Sequence, residues 1–233
     1  MSSATARKTL AGQTGDVTEH TAKRVLAEYG IPVTREEVAT SRDKALAIAR
    51  SIGYPVALKV QSPDISHKTE ARAIRLDVMS GQELATAYDE VLANARAYKG
   101  DARIEGVLVQ EMVKDGVEAI LGVTNDPLFG PAVMFGLGGI FAEVLKDVSF
   151  RLAPVTPSVA REMVEEVAGY PMLAGARGRP RADVDALVDA IVRLSALAVD
   201  LKDHLAELDI NPLFVFAEGK GVKAADALIK PKQ

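Results

Sequence analysis

The spacing of apolar residues in the first half of the chain predicts helices and short strands in alternation. Residues 19–29 carry Val25 and Leu26 on one helical side and run into a Gly-Ile-Pro sequence, which is typical of a helix end. The short apolar run PVALKVQ, at residues 55–61, predicts a strand. The same criteria predict three further elements in this half, namely helices at residues 42–52 and 81–98 and a strand at residues 73–78.

In the second half the pattern changes to strands that follow one another directly. Apolar runs predict strands at residues 106–113, 117–124, 131–135, 148–153, 206–216 and 221–228, with helices at residues 158–168 and 183–202. Hairpin-like neighbours dominate this half. The order therefore favours an α+β fold with antiparallel sheets over a doubly wound parallel sheet.

The change of pattern also predicts the domain organisation. Residues 17–110 are expected to form an N-terminal lobe, and residues 111–233 a C-terminal lobe. Residues 1–16 are small and polar, without an apolar signal region. We expect them to form a flexible leader that takes no part in the fold.

Composition narrows the class of function. Of the 233 residues 48% are hydrophobic, which is enough to bury a sizeable core. A net charge of −4 gives no bulk attraction to nucleic acid, and no apolar run approaches the length that crosses a membrane. The chain has no cysteine, which removes disulfides and cysteine metal sites. We therefore expect a cytoplasmic protein that binds neither nucleic acid nor a membrane.

Lys59 and His67 are the first candidates for phosphate chemistry. Alternation along residues 56–60 puts Lys59 on the face opposite the large apolar side chains, so its ammonium group must reach an anion or solvent. His67 lies in the polar loop that follows, and a neutral imidazole is a competent nucleophile toward a phosphoryl group. From spacing alone, a lysine that extends to solvent and an ordinary loop histidine remain open alternatives.

Two further segments have features that suit a nucleotide. Residues 110–113, Gln-Glu-Met-Val, end an apolar strand, where exposed backbone groups can bind an adenine edge. The cluster FGLGGIF at residues 135–141, followed by Glu143, lets the backbone approach a phosphate closely. It is not the dinucleotide-binding fingerprint, because Phe141 stands at the third glycine position. A plain strand end and a tight turn are the respective alternatives.

Acidic and amide side chains near the end of the chain form a candidate Mg²⁺ site. Alternation puts Glu207, Asp209 and Asn211 on one strand face, and Asp226 interrupts the apolar sequence of the next predicted strand. Oxygen ligands on adjacent strands suit Mg²⁺, which keeps most of its waters and takes one or two protein oxygens together with phosphates. A solvated polar face is the alternative.

Four segments together resemble the ATP-grasp (β) subunit of ADP-forming acyl-CoA synthetases of the acetate–CoA ligase type. In chain order they are ALKVQSPDISHKTE, VLVQEMV, GVTNDPLFGPAVMFGLGGIFAEVLKDVSFRLAP and ELDINPL. The resemblance extends over roughly residues 18–229, which is nearly the whole chain.

The resemblance implies an ATP-grasp fold, in which two α+β lobes hold ATP or ADP between them. It implies that Lys59 contacts the nucleotide phosphates, that His67 is the phosphohistidine and that Glu118 contacts the ribose or another part of the nucleotide. It further implies adenine contacts from Gln110, Glu111, Met112 and Val113, phosphate-site positions at Gly138, Gly139, Glu143 and Arg151, and Mg²⁺ ligands at Asn211 and Asp226 with Glu207 and Asp209 nearby.

The implied reaction converts an acid, CoA and ATP into acyl-CoA, ADP and phosphate. The acid and CoA are expected to bind to a separate CoA-binding α subunit, because this chain shows no CoA-binding Rossmann-type domain. One departure follows His67: the family usually has a Gly-Gly pair where this chain reads Glu-Ala-Arg-Ala at residues 70–73. That departure leaves open a non-catalytic nucleotide-sensing subunit. Another ATP-grasp ligase, without a histidine carrier, is a further alternative.

Overall fold

The structure is a computed structural model that describes residues 3–11, 15–65, 68–139 and 145–232. Within these ranges the elements follow in the order α1 (Ser3–Leu10), α2 (Glu19–Glu28), β1 (Glu36–Ala39), α3 (Arg42–Ile52), β2 (Val56–Gln61), β3 (Ile74–Val78), α4 (Gly81–Tyr98), β4 (Gly106–Glu111), β5 (Val117–Asp126), β6 (Gly130–Leu137), β7 (Val148–Leu152), α5 (Pro157–Glu166), α6 (Val184–Asp200), β8 (Leu205–Val215), β9 (Val222–Ala224) and β10 (Ala227–Pro231). None of the helices in the described ranges combines the length and hydrophobicity that a membrane crossing requires.

The chain forms two compact units. The smaller unit consists of Thr18–Thr21 and Thr34–Lys114. The larger unit takes the described residues up to Val17, Ala22–Val33 and the chain from Asp115 onward. The change from one unit to the other therefore falls within α2, whose first turn belongs to the smaller unit.

The smaller unit is built on a four-stranded antiparallel sheet in the order β1-β4-β2-β3. Helices α3 and α4 pack on one of its faces, and Val56, Leu58 and Val60 point into the core that they form. Both helices begin at a serine whose hydroxyl accepts a hydrogen bond from the third helical residue, which satisfies one of the unpaired N–H groups of the first turn.

The larger unit contains a six-stranded antiparallel sheet. Its main path is β10-β8-β5-β6-β7, and β9 pairs with β8. Alternate residues of β5, namely Ala119, Leu121 and Val123, lie in a core to which α5 and α6 contribute. The residues between them, such as Glu118 and Gly122, lie on the opposite face of the sheet. We call this second face the acidic face, because Glu118, Glu207 and Asp209 lie on it.

The predicted α+β class with antiparallel sheets is confirmed, and so are most elements. The helices predicted at residues 42–52 and 81–98 have the observed bounds. Strand β1 was missed, because it has only four residues and begins with two glutamates. The strand predicted at residues 221–228 is divided into β9 and β10 by Ala225 and Asp226.

The ends of the predicted domains differ from the compact units. Ala22–Val33 belongs to the larger unit, because Val25, Leu26 and Ile31 are buried in its core. The boundary in the middle of the chain follows Lys114. The expectation of a leader without a role in the fold does not hold for α1, in which Ala6 and Leu10 are buried in the same core.

We predict that Leu10→Ala lowers the free energy of unfolding by about 3 kcal/mol, because the change removes a buried side chain and leaves a cavity. Urea unfolding measures the difference. Leu128→Ala is the control, since Leu128 is 88% exposed. Equal and small effects of the two changes would contradict the assignment of α1 to the core.

Candidate functional site

The lysine predicted to bind phosphate is buried and faces an anion of this chain. Lys59 is 5% exposed and lies on the sheet face opposite the α3–α4 core. Its ammonium group donates a hydrogen bond to Oε1 of Glu19 at 2.6 Å. The Nζ atom of Lys68 lies 3.3 Å from the other oxygen of the same carboxylate. Of the two readings left open by the sequence, the anionic partner is therefore the one observed, and that partner is Glu19.

The first turn of α2 is fixed to this polar face of the smaller sheet. The backbone N–H of His20 donates to the Gln61 side chain at 3.2 Å, and Nδ1 of His20 lies 3.0 Å from Oε1 of Glu36. Gln61 at the end of β2 is itself buried. The position of the Glu19 carboxylate therefore follows from a helix start that is bonded to both β1 and β2.

His67 lies outside the described residues, but the turn that follows it is described. The N–H of Ala73 donates to the carbonyl of Lys68 at 2.8 Å, and the N–H of Arg72 donates to the carbonyl of Thr69 at 3.1 Å. Arg72 has a φ angle of 49°, in the left-handed region that favours glycine. The chain therefore retains, at the site of the missing Gly-Gly pair, a backbone conformation that a glycine adopts more easily.

Several polar groups of the predicted adenine-binding segment already form hydrogen bonds within the smaller unit. The Glu111 carboxylate accepts hydrogen bonds from the backbone N–H and from Nε of Arg35, both at 2.9 Å. The backbone N–H groups of Glu111 and Met112 donate to the carbonyls of Arg35 and Pro55. These two donors are thus not exposed, contrary to the expectation from sequence. Gln110 is buried, and Val113 is half-buried beyond the strand end.

The four candidate Mg²⁺ ligands lie on or beside the acidic face of the larger sheet. Asp209 pairs across the sheet with Gly122, and a Cβ atom at Gly122 would lie 3.5 Å from Oδ1 of Asp209. Asn211 donates its backbone N–H to the carbonyl of Asp226 at 3.3 Å, which places these two residues side by side. Glu207 is bound by Lys230 at 2.6 Å. Glu207 therefore already has a cation. Asp226 also has a partner, because its Oδ1 accepts a hydrogen bond from the N–H of Ala227 at 2.8 Å.

The carboxyl of Asp209 has a raised proton affinity. Burial, together with the charge of Glu207, raises the pKa of the Asp209 carboxyl above its usual range, and Lys230 partly offsets this. Asp209 and Glu207 line a depression of about 130 Å³ with Gly122, Met134 and Phe150. The described residues contain no group of three or more His, Cys, Asp or Glu side chains suited to a metal. An ion here would need the amide of Asn211 and water as further ligands, which fits Mg²⁺.

Glu118 and the glycines after β6 also lie at this face. The carbonyl of Glu118 accepts a hydrogen bond from the N–H of Gly138 at 2.8 Å. A Cβ atom at Gly138 would lie 3.0 Å from the Glu118 Cβ, so a larger residue would require its neighbour to move by a few tenths of an ångström. Gly139 has a φ angle of 66° and an open surrounding. Glu143 lies outside the described residues.

Arg151 does not lie on the acidic face. It pairs across the sheet with Val133, whose side chain lies in the core, so the two share the face opposite Asp209. Its guanidinium binds both oxygens of Glu166, at 2.9 and 2.7 Å. This pair raises the pKa of Arg151 and lowers that of Glu166. The structure therefore supports a role for Arg151 in attaching α5 to the sheet.

The sequence analysis missed Glu19 as part of the candidate site. A lysine within an apolar strand requires a counter-ion. Residue spacing alone does not show that this counter-ion comes from the start of α2.

Comparison with known proteins identifies the relatives of this chain. A family described as ATP-grasp domain matches residues 8–230. The chain is 51% identical over 211 residues to the acetate–CoA ligase [ADP-forming] II subunit beta of Pyrococcus furiosus, a match that covers 91% of this chain and 89% of that protein.

Two solved structures carry the same architecture. Both are of the dinucleotide forming acetyl-coenzyme A synthetase 1 of Ca. Korarchaeum cryptofilum. The structure with coenzyme A, Ca-AMPCP and HgCl+ superposes with a TM-score of 0.92 at 40% identity and covers 98% of each chain. The structure with coenzyme A and Mg-AMPPCP, in which the phosphohistidine segment points towards the nucleotide binding site, has a TM-score of 0.81 at 38% identity. It covers 94% of this chain and 93% of that chain.

We predict that Arg72→Gly raises the free energy of unfolding by about 0.5 kcal/mol. Removing the strain of a left-handed arginine outweighs the entropy that glycine adds to the unfolded chain. Arg75→Gly in strand β3 is the control, and it should lower stability by about 1 kcal/mol. A similar loss from both changes, measured by urea unfolding, would refute the strain at Arg72.

We predict that Asp209→Asn stabilises the chain at pH 7 in the presence of a metal chelator. A raised pKa means that ionisation of Asp209 weakens the folded state, and this penalty is complete above the folded-state pKa. The advantage of the variant should shrink as the pH falls and vanish below the ordinary value of 3.8. Thermal unfolding across this pH range measures it.

Asp126→Asn is a control of opposite sign. The N–H groups of Phe129 and Leu128 bind the Asp126 carboxylate and lower its pKa. This variant should therefore be less stable than the parent at pH 7, and the difference should disappear as the pH falls through the folded-state pKa. An Asp209→Asn variant that behaves like Asp126→Asn would disprove the assigned environment of Asp209.

Proposed function

The chain belongs to the ATP-grasp family and, within it, to the β subunits of ADP-forming acyl-CoA synthetases; on this premise we propose that it transfers a phosphoryl group between ATP and His67. The observation that supports the proposal best is the order of Lys59, His67 and Lys68 within one segment of the chain. The chain matches 89% of the length of the Pyrococcus furiosus II subunit beta. Lys59 and Lys68 also converge on a single carboxylate.

The proposed step is a phosphoryl transfer. A nitrogen of the His67 imidazole forms a bond to the γ-phosphorus of ATP, the bond from that phosphorus to the bridging oxygen of the β-phosphate breaks, and ADP leaves with the electron pair. The imidazole loses its proton to solvent. The reverse step returns the phosphoryl group to ADP. Catalysis of such a transfer consists mainly of positioning and of stabilising charge on the phosphate oxygens.

Each candidate residue has a limited task in this proposal. Lys59 and Lys68 offer ammonium groups to phosphate oxygens. Glu118 and the segment at residues 110–113 remain candidates for contacts to the nucleoside, with Val113 rather than the N–H groups of Glu111 and Met112 at the adenine edge. Gly138 and Gly139 give a backbone that a phosphate can approach closely. Glu143 stays a candidate from the resemblance alone, and Arg151 is not retained.

The residues present fit a magnesium ion. Asp209 and Asn211 on β8 and Asp226 just before β10 supply hard oxygen atoms. The raised pKa of Asp209 marks a carboxylate whose negative charge is poorly compensated. When bound, Mg²⁺ would neutralise charge on phosphate oxygens. Glu207 would lie near the ion without binding it, because its carboxylate is already paired with Lys230.

The proposal extends to a partner and a location. Two of the relatives, both from Pyrococcus furiosus, are named as β subunits, which supports a CoA-binding α subunit as the partner that brings the acid and CoA. A cytoplasmic location suits the use of ATP and CoA.

The two alternatives, a nucleotide sensor and a ligase without a histidine carrier, have no specific observation in their favour. The nucleotide sensor was suggested by the missing Gly-Gly pair. The left-handed backbone of Arg72 weakens that argument, because the chain keeps there a conformation that glycine favours.

We expect label from γ-radiolabelled ATP and Mg²⁺ to be attached to the chain through a bond that is labile in acid and stable in alkali, as for a phosphohistidine. His67→Ala should abolish it. The measurement is made on the chain alone and with its CoA-binding partner subunit.

His204→Ala is the matched control, because His204 lies in the larger unit and outside every candidate site. It should take up the label like the parent. An unlabelled parent chain in the presence of the partner would exclude phosphoryl transfer. Equal labelling of the parent and His67→Ala would place the acceptor elsewhere.

A further inference from the structure

A single buried carboxylate joins the two lysines that flank His67 in the sequence. Oε1 of Glu19 is 2.6 Å from Nζ of Lys59, and Oε2 is 3.3 Å from Nζ of Lys68. The side chain of Glu19 is 0% exposed, and those of Lys59 and Lys68 are 6% and 16% exposed. This arrangement is a compact ionic bridge shielded from water.

The sequence around Glu19 favours a fixed carboxylate. Glu19 is in the first turn of α2, where the partial positive charge of the helix start stabilises an anion. The next residue, His20, bonds through its backbone to Gln61 and through its ring to Glu36. Glu19 therefore keeps its place even when its lysine partners change, because the backbone that carries it is held by other groups.

The two ammonium groups are hydrogen-bond donors held beside one buried carboxylate. Electrostatic interactions are stronger between buried groups than in water. An arriving phosphate has oxygen atoms that suit the same N–H donors. It must compete with Glu19 for them.

We infer that Glu19 is a positioning residue, which holds Lys59 and Lys68 together before a nucleotide phosphate binds and competes with that phosphate afterwards. The inference rests on the proposed function, since it assigns Lys59 and Lys68 to phosphate. Glu19 also anchors Lys68, the residue that follows His67 in the sequence. Glu19 itself does not contact the reacting atoms.

A purely structural ion pair predicts a different outcome. Removing its charge would weaken the fold, and nucleotide binding and phosphoryl transfer would both decline. A positioning residue that competes with phosphate predicts opposite changes in the two quantities. Binding becomes tighter because a competing anion is lost, and transfer becomes slower because the lysines are no longer held.

The test is Glu19→Gln, with Glu37→Gln as the control. Glu37 belongs to the same unit, but its side chain is 58% exposed and pairs with Lys44. Calorimetry with ADP and with adenosine separates the phosphate contribution from the nucleoside contribution. We expect ADP to bind about tenfold tighter to Glu19→Gln, adenosine to bind as before, and Glu37→Gln to match the parent within about twofold. Unchanged or weaker ADP binding by a folded Glu19→Gln overturns the inference.

The second readout is the rate at which label reaches His67 at saturating ATP. Glu19→Gln should slow it by about tenfold, and an unchanged or faster rate contradicts the anchoring role. If Glu19→Gln does not fold, Glu19→Asp replaces it. The shorter side chain keeps the charge but cannot span both lysines, so transfer should slow while ADP affinity stays within about twofold of the parent. An unchanged transfer rate in Glu19→Asp overturns the inference as well.

The two proposals fail in distinguishable ways. A parent chain that binds ADP but takes no label from ATP contradicts phosphoryl transfer, and the comparison of ADP with adenosine still decides the role of Glu19. A labelled parent chain with unchanged ADP binding in Glu19→Gln contradicts the role of Glu19 alone.

Discussion

A lysine buried in an apolar strand needs a counter-ion, and the pairing of Lys59 with Glu19 is the constraint on which the candidate site of the smaller unit depends. A charge removed from water is costly unless a partner with good geometry lies beside it. Here the partner comes from the start of α2, held in place by the bonds of His20 to Gln61 and Glu36. Any phosphate that binds Lys59 must therefore share it with an anion of the chain itself.

The larger unit depends on a second constraint, the alternation of side chains across a pleated sheet. Cross-strand partners share a face, so the pairing of Asp209 with Gly122 and of Arg151 with Val133 assigns the aspartate and the arginine to opposite faces. The acidic face thus collects Asp209, Asn211 and Glu118, while Arg151 attaches α5 to the other side through Glu166. The residues of the acidic face suit a cation and phosphate, and the pair of Arg151 and Glu166 stabilises the fold.

Much of the fold could be predicted because its signals are local. The periodicity of α3 and α4 and the alternation of β2 fixed their bounds, and alternation also gave the correct face for Lys59. Strand β1 could not be predicted in this way, because its four residues, two of them glutamates, show no clear hydrophobic periodicity. The burial of Leu10 was missed for a similar reason: a short polar helix gives no sign of the core it joins.

The candidate site was predictable as a set of residues but not as a set of contacts. The sequence named Lys59, Asp209, Asn211 and Asp226, yet it could not show that Glu19 binds the lysine or that Lys230 binds Glu207. Those contacts join segments that are distant in the chain, and they depend on strand register, which residue spacing does not specify. The sheet face of Arg151 was not predictable for the same reason, because it follows from the pairing of β7 with β6.

The central claim is that the chain carries a phosphoryl group that remains exchangeable with nucleotide. The most direct measurement starts from chain labelled with radioactive γ-phosphate and freed of nucleotide, to which ADP and Mg²⁺ are added in a single turnover. The account predicts that the label leaves the protein and appears in ATP. Label that stays on the protein, or that is released as inorganic phosphate without forming ATP, would contradict it.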